Sequence, residues 1–115
     1  MSKIFIQQTK NSIRVLSSRK IFENQIIERG KVNSFHKYSS YDKLYWGPRK
    51  YASISGLYLY YKPDFSPNCK LIKNDHSNEY HVIALHDINK NEELTRIFYR
   101  LQFSILEKQL KINMK

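Results

Sequence analysis

The chain breaks into short apolar stretches separated by polar turns. Residues 3–8, KIFIQQ, alternate weakly between apolar and polar and predict a strand. Ile13 and Val15 give a second short alternating piece. The next segment, SSRKIFENQIIERG, reads two ways. Ser17 or Ser18 caps a helix that ends at Gly30, or Ile26 and Ile27 lie in a strand. Residues 38–46, YSSYDKLYW, are polar and aromatic and suit a short helix, which Trp46-Gly47-Pro48 then ends. Residues 52–61, ASISGLYLYY, carry the clearest strand signal, with Gly56 marking a bulge or a close approach. The two prolines of KPDFSPN predict a fixed loop outside any regular element. Residues 70–72 and 79–86 predict two strands joined by the turn-rich KNDHSN. In the tail, RLQFSILEKQLKI, the spacing of Leu101, Ile105 and Leu106 predicts a helix.

The fold class that follows is mainly β (α+β), with short strands and a C-terminal helix. One stretch, NKNEELTRIFY (residues 89–99), divides the readings. Asn91 followed by two acids suits a helix N-cap, with Leu94, Phe98, Leu101 and Ile105 as the apolar stripe. The same residues also suit a strand, on which Phe98 and Tyr99 face opposite ways.

At 115 residues the chain predicts one domain, and no repeat or linker divides it. Its 41% apolar and 26% charged content is that of a folded soluble protein. No apolar run approaches the roughly 20 residues of a membrane span. The apolar stretch of MSKIFIQQTKNS is too short for a signal peptide, so an intracellular location is expected, with no membrane partner. Cys69 is the only cysteine, which rules out an internal disulfide and a cysteine-rich zinc site. His36, His76, His81 and His86 show no metal-ligand spacing, and no Ser-His-Asp or Cys-His set stands out. No metal is expected.

Charge changes the picture more. Twenty Lys and Arg against ten Asp and Glu leave a net charge of +10. Residues 1–22 carry Lys3, Lys10, Arg14, Arg19 and Lys20 and no acid, whereas residues 75–93 hold five acids against Lys90. Such a field favours anionic partners, either acidic protein or nucleic acid. The abundance of Lys, Asn and Ile is also what base-composition bias produces, and no nucleic-acid motif accompanies the charge.

The order of pieces resembles a SET domain. The family carries an Asn-His-Ser loop leading to Pro-Asn, and later Ala-x-x-x-Ile-x-x-Gly-Glu-Glu-Leu-Thr-x-x-Tyr. Here Pro67-Asn68-Cys69, then Ala84–Ile88 and Glu92-Glu93-Leu94-Thr95, match that order. IRVLSSRKIFENQIIE resembles the family's N-terminal segment, and SISGLYLYY stands where the strand before the Asn-His-Ser loop belongs. The resemblance spans roughly residues 4–99, within one SET-like domain over 1–115 whose residues 100–115 form the helical tail. It is similar to the short viral and bacterial members that lack flanking domains.

The resemblance implies small β-sheets around a threaded C-terminal segment. It also implies transfer of a methyl group from S-adenosylmethionine to a lysine amine of a protein substrate. Cofactor and lysine would enter from opposite faces and meet in a narrow channel, without a metal.

Three sites depart from the family. The glycine turn that meets the cofactor falls on Asn11, Ser12, Ile13 and Arg14, where Asn11 can take up the turn and Arg14 can bind the cofactor carboxylate. The Asn-His-Ser residues fall on Lys62, Pro63 and Asp64. Pro63 offers no N–H, Lys62 places a cation near the sulfonium, and Asp64 can offset it. Together with Asn68, these make Arg14, Lys62 and Asp64 the candidate cofactor residues. The catalytic tyrosine position is occupied by Phe98, and Tyr99 replaces it only if a bulge turns the strand. Glu92 and Glu93 diverge on a strand, so they serve as anchors rather than an acid/base pair. Cys69, at a family zinc position, lacks the cysteine-rich tail and reads as a small buried residue. Two other readings stand beside the methyltransferase: a SET-derived binding module without transfer, and a small basic nucleic-acid-binding protein unrelated to SET.

Overall fold

In a computed structural model the chain is described at residues 2–40, 42–74 and 76–97. Nine strands occur among them: β1 (Ile4–Gln8), β2 (Ile13–Ser17), β3 (Ile26–His36), β4 (Leu44–Gly47), β5 (Lys50–Ile54), β6 (Lys62–Pro63), β7 (Cys69–Asn74), β8 (Glu79–Ala84) and β9 (Thr95–Arg96). The only helical piece among the described residues is a 3-10 turn at Tyr58–Tyr60. The expected C-terminal helix falls in residues 98–115, outside the described part.

β1 and β2 form an antiparallel hairpin. Its turn closes through the Thr9 N–H to the Ser12 carbonyl at 2.9 Å, with the two side-chain hydroxyls 2.7 Å apart. Asn11 is not among the left-handed residues, so this turn needs no glycine-like backbone. The main sheet has the order β4-β5-β3-β8-β7. β3 builds most of it: its first half pairs with β8 and its second half with β5, with a register shift in each pairing. Those bulges bend the sheet, so that its two end strands, β4 and β7, come together. The Lys73 ammonium on β7 donates to the Trp46 carbonyl of β4 at 2.7 Å.

The core lies inside this curl. On β8, Tyr80, Val82 and Ala84 are buried while Glu79, His81 and Ile83 are not, the period of a strand with one face covered. Val15, Ile21, Ile27, Trp46, Tyr61, Ile88 and Leu94 complete the packing.

Several expectations are corrected. The segment from Ser17 to Gly30 is no helix: Ile21 makes an isolated bridge with Ile88, Asn24 turns the chain at φ 69°, and β3 begins at Ile26. The paired Ile26-Ile27 packs a sheet better than a helix stripe. Residues 42–47 form a turn and β4 rather than a helix; Leu44 and Trp46 are buried and alternate with Tyr45. β5 ends at Ile54, and the chain leaves the sheet through Gly56. Pro63 does lie in a strand. In the parallel pair β6–β9 only the flanking N–H groups of Lys62 and Asp64 donate, to Leu94 and Arg96, so the missing donor is never called on.

No helix starts at Asn91. That residue adopts φ 68° and the chain then runs extended to Arg96. Asn91 stands where the family pattern has glycine, and asparagine is the side chain that best tolerates this left-handed region. The strands at 3–8, 13–15, 70–72 and 79–86 appear as expected, with β7 and β8 paired from Cys69↔Ala84 to Asn74↔Glu79.

Candidate functional site

Residues 91–96 form the junction that Arg14, Lys62, Asp64 and Asn68 all touch. On one side the Asn91 N–H reaches the Ser17 carbonyl at 2.7 Å, the Ser17 N–H reaches Glu92, and the Leu94 N–H reaches Val15. On the other side Lys62 and Asp64 donate to the carbonyls of Leu94 and Arg96 at 3.1 and 2.8 Å. The segment therefore lies between β2 and β6, hydrogen-bonded to both.

Asn68 locks this arrangement. Its Nδ2 donates to the Glu93 carbonyl at 2.9 Å and to Glu92 Oε2 at 3.2 Å. Its Oδ1 accepts from the Thr95 N–H at 2.8 Å and from the Cys69 thiol at 3.0 Å. Its own N–H donates to Thr95 Oγ1 at 2.8 Å. The amide is 4% exposed and both its ends are engaged inside the protein. Asn68 thus holds backbone to backbone. Burial pushes the adjacent Cys69 thiol up to about 12, so it stays protonated and unreactive.

The other candidates sit around the same segment. Arg14 donates to Glu93 Oε2 and to Gln7 Oε1, at 3.2 and 3.3 Å, with its side chain 45% exposed. Lys62 is exposed. Asp64 is half-buried and accepts the Ser66 N–H at 2.8 Å, a local turn. The strand segment keeps Arg14 on its β2 side and Lys62, Asp64 and Asn68 on its β6 side. Glu92 and Glu93 diverge as anchors: Glu92 binds the Asn89 N–H and Asn68, and Glu93 binds Arg14. Tyr99 and Phe98 lie outside the described residues.

A groove of about 500 Å³ opens between the end strands β4 and β7. Leu44, Tyr45, Tyr58, Leu71, Leu85 and Ile97 give it apolar walls. Ile97 ends the described chain here, so the groove reaches the residue that precedes Phe98 and Tyr99. Tyr58 is buried in its floor, and desolvation raises its hydroxyl to about 12. Among the described residues the charged ones of the lining are Lys70 and Lys73.

A second polar cluster was not anticipated. Glu28 on β3 accepts the Leu57 N–H at 3.2 Å and the Tyr61 hydroxyl at 3.0 Å. Desolvation raises its carboxyl above the ordinary value despite both bonds. Burial likewise raises Tyr61 and Tyr80, and the Tyr80 hydroxyl donates to the Ser55 carbonyl. Two glycines make room: a Cβ at Gly30 would lie 2.3 Å from the Tyr80 ring, and one at Gly56 2.5 Å from its hydroxyl. Gly56 also has φ +90°, so the close approach its position suggested is present. The one signal for Glu28 was an acid placed directly after Ile26-Ile27. Among the described residues, no group of three His, Cys, Asp or Glu could hold a metal ion.

The fold is shared with a solved structure. A Plasmodium falciparum protein named as a "putative histone methyltransferase" superposes with a TM-score of 0.64 at 24% sequence identity, over 87% of this chain and 96% of that one. At that identity the likeness establishes architecture: the mainly β arrangement with a curled sheet is that of the neighbour. No protein-family model matches the chain. No curated protein matches it in sequence.

Proposed function

We propose that the chain is a divergent SET-type methyltransferase, which moves a methyl group from S-adenosylmethionine to the amine of a protein lysine. The observation that carries this reading is the junction. The segment Asn91–Arg96, which leads toward Phe98 and Tyr99, lies between β2 and β6 and is hydrogen-bonded to the strands that carry Arg14 and Lys62. The neighbour's fold and name support the same class.

The residues fit the cofactor by charge, with altered donors. Arg14 carries a partly open guanidinium for a carboxylate, and Asp64 offers a carboxylate to a cationic centre. Pro63 has no N–H, and those of Lys62 and Asp64 are used within the fold, so backbone recognition at this loop is reduced. S-adenosylmethionine supplies an electrophilic methyl on a sulfonium. The protein's part is to bring the lysine amine in neutral and in line, and to keep water out. The apolar walls of the β4–β7 groove suit the methylenes of a lysine side chain and disfavour its charged form. Tyr99, following Phe98, is the hydroxyl proposed to orient the amine.

One observation favours a second reading. Arg14 is already paired with Glu93, and Pro63 withholds a donor, as in a module that keeps the fold and has lost transfer. Calorimetric titration of the full chain with S-adenosylmethionine, and with S-adenosylhomocysteine alongside, separates the two. Saturable micromolar binding that weakens in Arg14→Ala and Asp64→Asn is the expected result, and Tyr99→Phe then tests transfer. Folded protein that binds neither ligand at millimolar concentration leaves the binding module.

A further inference from the structure

We infer that the outer face of β3 and β5 binds single-stranded nucleic acid, with bases stacked on its aromatic rings and phosphates held by the lysines and arginines around them. This surface stands apart from methyl transfer and uses none of the residues assigned to cofactor or amine.

Positive charge is concentrated on these strands. Residues 29–50 hold six Lys and Arg against one acid, Asp42, which is half of the net +10 within 22 of the 115 residues. Base-composition bias spreads basic residues along a chain and does not gather them on one strand pair. Asp42 is already paired with Lys43 at 3.2 Å. Arg29, Lys31, Lys37, Arg49 and Lys50 are exposed and make no ion pair among the described residues.

The register fixes which side chains share the outer face. Ala52 on β5 and its neighbour Leu44 on β4 are buried, so Tyr51 and its partner His36 face outward, and Ser34 and Ser53 are the next pair. Tyr45 stands edge-on to Tyr51 at 5.8 Å and braces that ring from β4. The Ser34 hydroxyl lies 2.9 Å from His36 Nε2. Farther along β3, Gly30 turns inward against Tyr80, which leaves Arg29 and Lys31 on the outer side. Glu79 of β8 opposes Lys31, while Arg29 faces His81. Past His36 come Lys37 and then Tyr38, which is 84% exposed. From Arg29 to His36 the strand runs roughly 23 Å, at about 3.3 Å per residue. Rings set among uncompensated cations along an extended strand suit a chain of flat bases joined by phosphates. A duplex keeps its bases stacked on each other and would offer this face only phosphates. An acidic peptide would answer the charge and leave the rings without a flat partner.

The test is fluorescence anisotropy of the full chain, without cofactor, against three labelled probes. They are a single-stranded oligothymidylate of about twelve nucleotides, a DNA duplex of the same length, and a polyglutamate peptide of matching charge. The expected result is at least about tenfold tighter binding of the single strand than of either other probe, weakening steeply as salt is added. Tyr51→Ala should weaken it about tenfold, while Tyr51→Phe, which keeps the ring, should stay within about twofold. Tyr38→Ala, at a solvated ring where folding is not at stake, should weaken it about threefold. Arg29→Ala should weaken it and lower the log–log salt slope by about one. Lys90→Ala, the same loss of charge in the acidic stretch, should leave it within about twofold. Duplex or polyglutamate bound as tightly as the single strand would overturn the inference and leave a general polyanion surface. No loss in Tyr38→Ala, a loss in Lys90→Ala equal to that in Arg29→Ala, or no binding of the single strand would overturn it as well.

Discussion

Asn68 and Glu28 both bring hydrogen-bonding side chains out of water, and they do so by different means. Asn68 is neutral, and its amide has both donors and acceptors to match what surrounds it: the carbonyl of Glu93, the carboxylate of Glu92, the N–H of Thr95 and the thiol of Cys69. Glu28 can only accept while ionised. It has two donors, Leu57 and Tyr61, and they do not fully offset its lost hydration, so its carboxyl titrates high. A matched amide fixes backbone at any pH. A half-buried carboxylate makes its neighbourhood respond to acid.

The largest effect expected on this contrast comes from Gly30→Ala. The new Cβ would fall 2.3 Å from the Tyr80 ring, which must then move and give up its bond to Ser55. Overpacking of this kind should cost about 3 kcal/mol, read as a drop in the urea midpoint with the slope unchanged. A stability loss below about 0.5 kcal/mol would mean that the tyrosine cluster yields freely.

Asn68→Ala comes next. It strands the Thr95 N–H and the Glu93 carbonyl in a buried junction, at a cost of about 2 kcal/mol. Hydrogen exchange should show faster exchange at Thr95 while the Val82 amide of β8 stays protected. Uniform acceleration across both would mean that the junction is not a separate unit.

Glu28→Gln is the smallest change and the one that depends on pH. The folded chain holds the Glu28 proton at higher pH than the unfolded chain, whose carboxyl lies near the ordinary 4.5. Stability from this group is therefore full below that value and declines as pH rises through the raised folded value. Glutamine keeps an acceptor for Leu57 and Tyr61 without a charge to desolvate. Urea unfolding at a series of pH values should show the wild type losing ground to the variant across that window. Parallel curves would remove the titration.

The sequence was most legible where one face of a strand is covered. Tyr80, Val82 and Ala84 alternate as written, and Gly56, read as a bulge or a close approach, does approach the Tyr80 hydroxyl. Less was legible where backbone, rather than side chains, decides. β6 has too few residues to show a period and contains Pro63, yet it forms because its two neighbours supply the donors. Residues 42–47 carry too many polar aromatics for a strand signal, and only the curl of the sheet buries Leu44 and Trp46. At the candidate site, resemblance brought Arg14, Lys62, Asp64 and Asn68 to one segment. It did not reveal that Asn68 spends its whole amide on the fold, or that Arg14 already has Glu93. Glu28 gave almost no warning, because its partners Leu57 and Tyr61 are distant in the chain.

The position of Leu94 also sets an order of assembly. Its N–H is held by Val15 and its carbonyl by Lys62, two stations far back along the polypeptide. Both bonds are in place only when the hairpin and the turn before β6 lie on either side of the segment, with the loop-closure entropy spent. Residues through Arg96 must therefore have left the ribosome before the candidate site can exist, and the protein's folding rate should be limited by these long-range contacts rather than by its local hairpins.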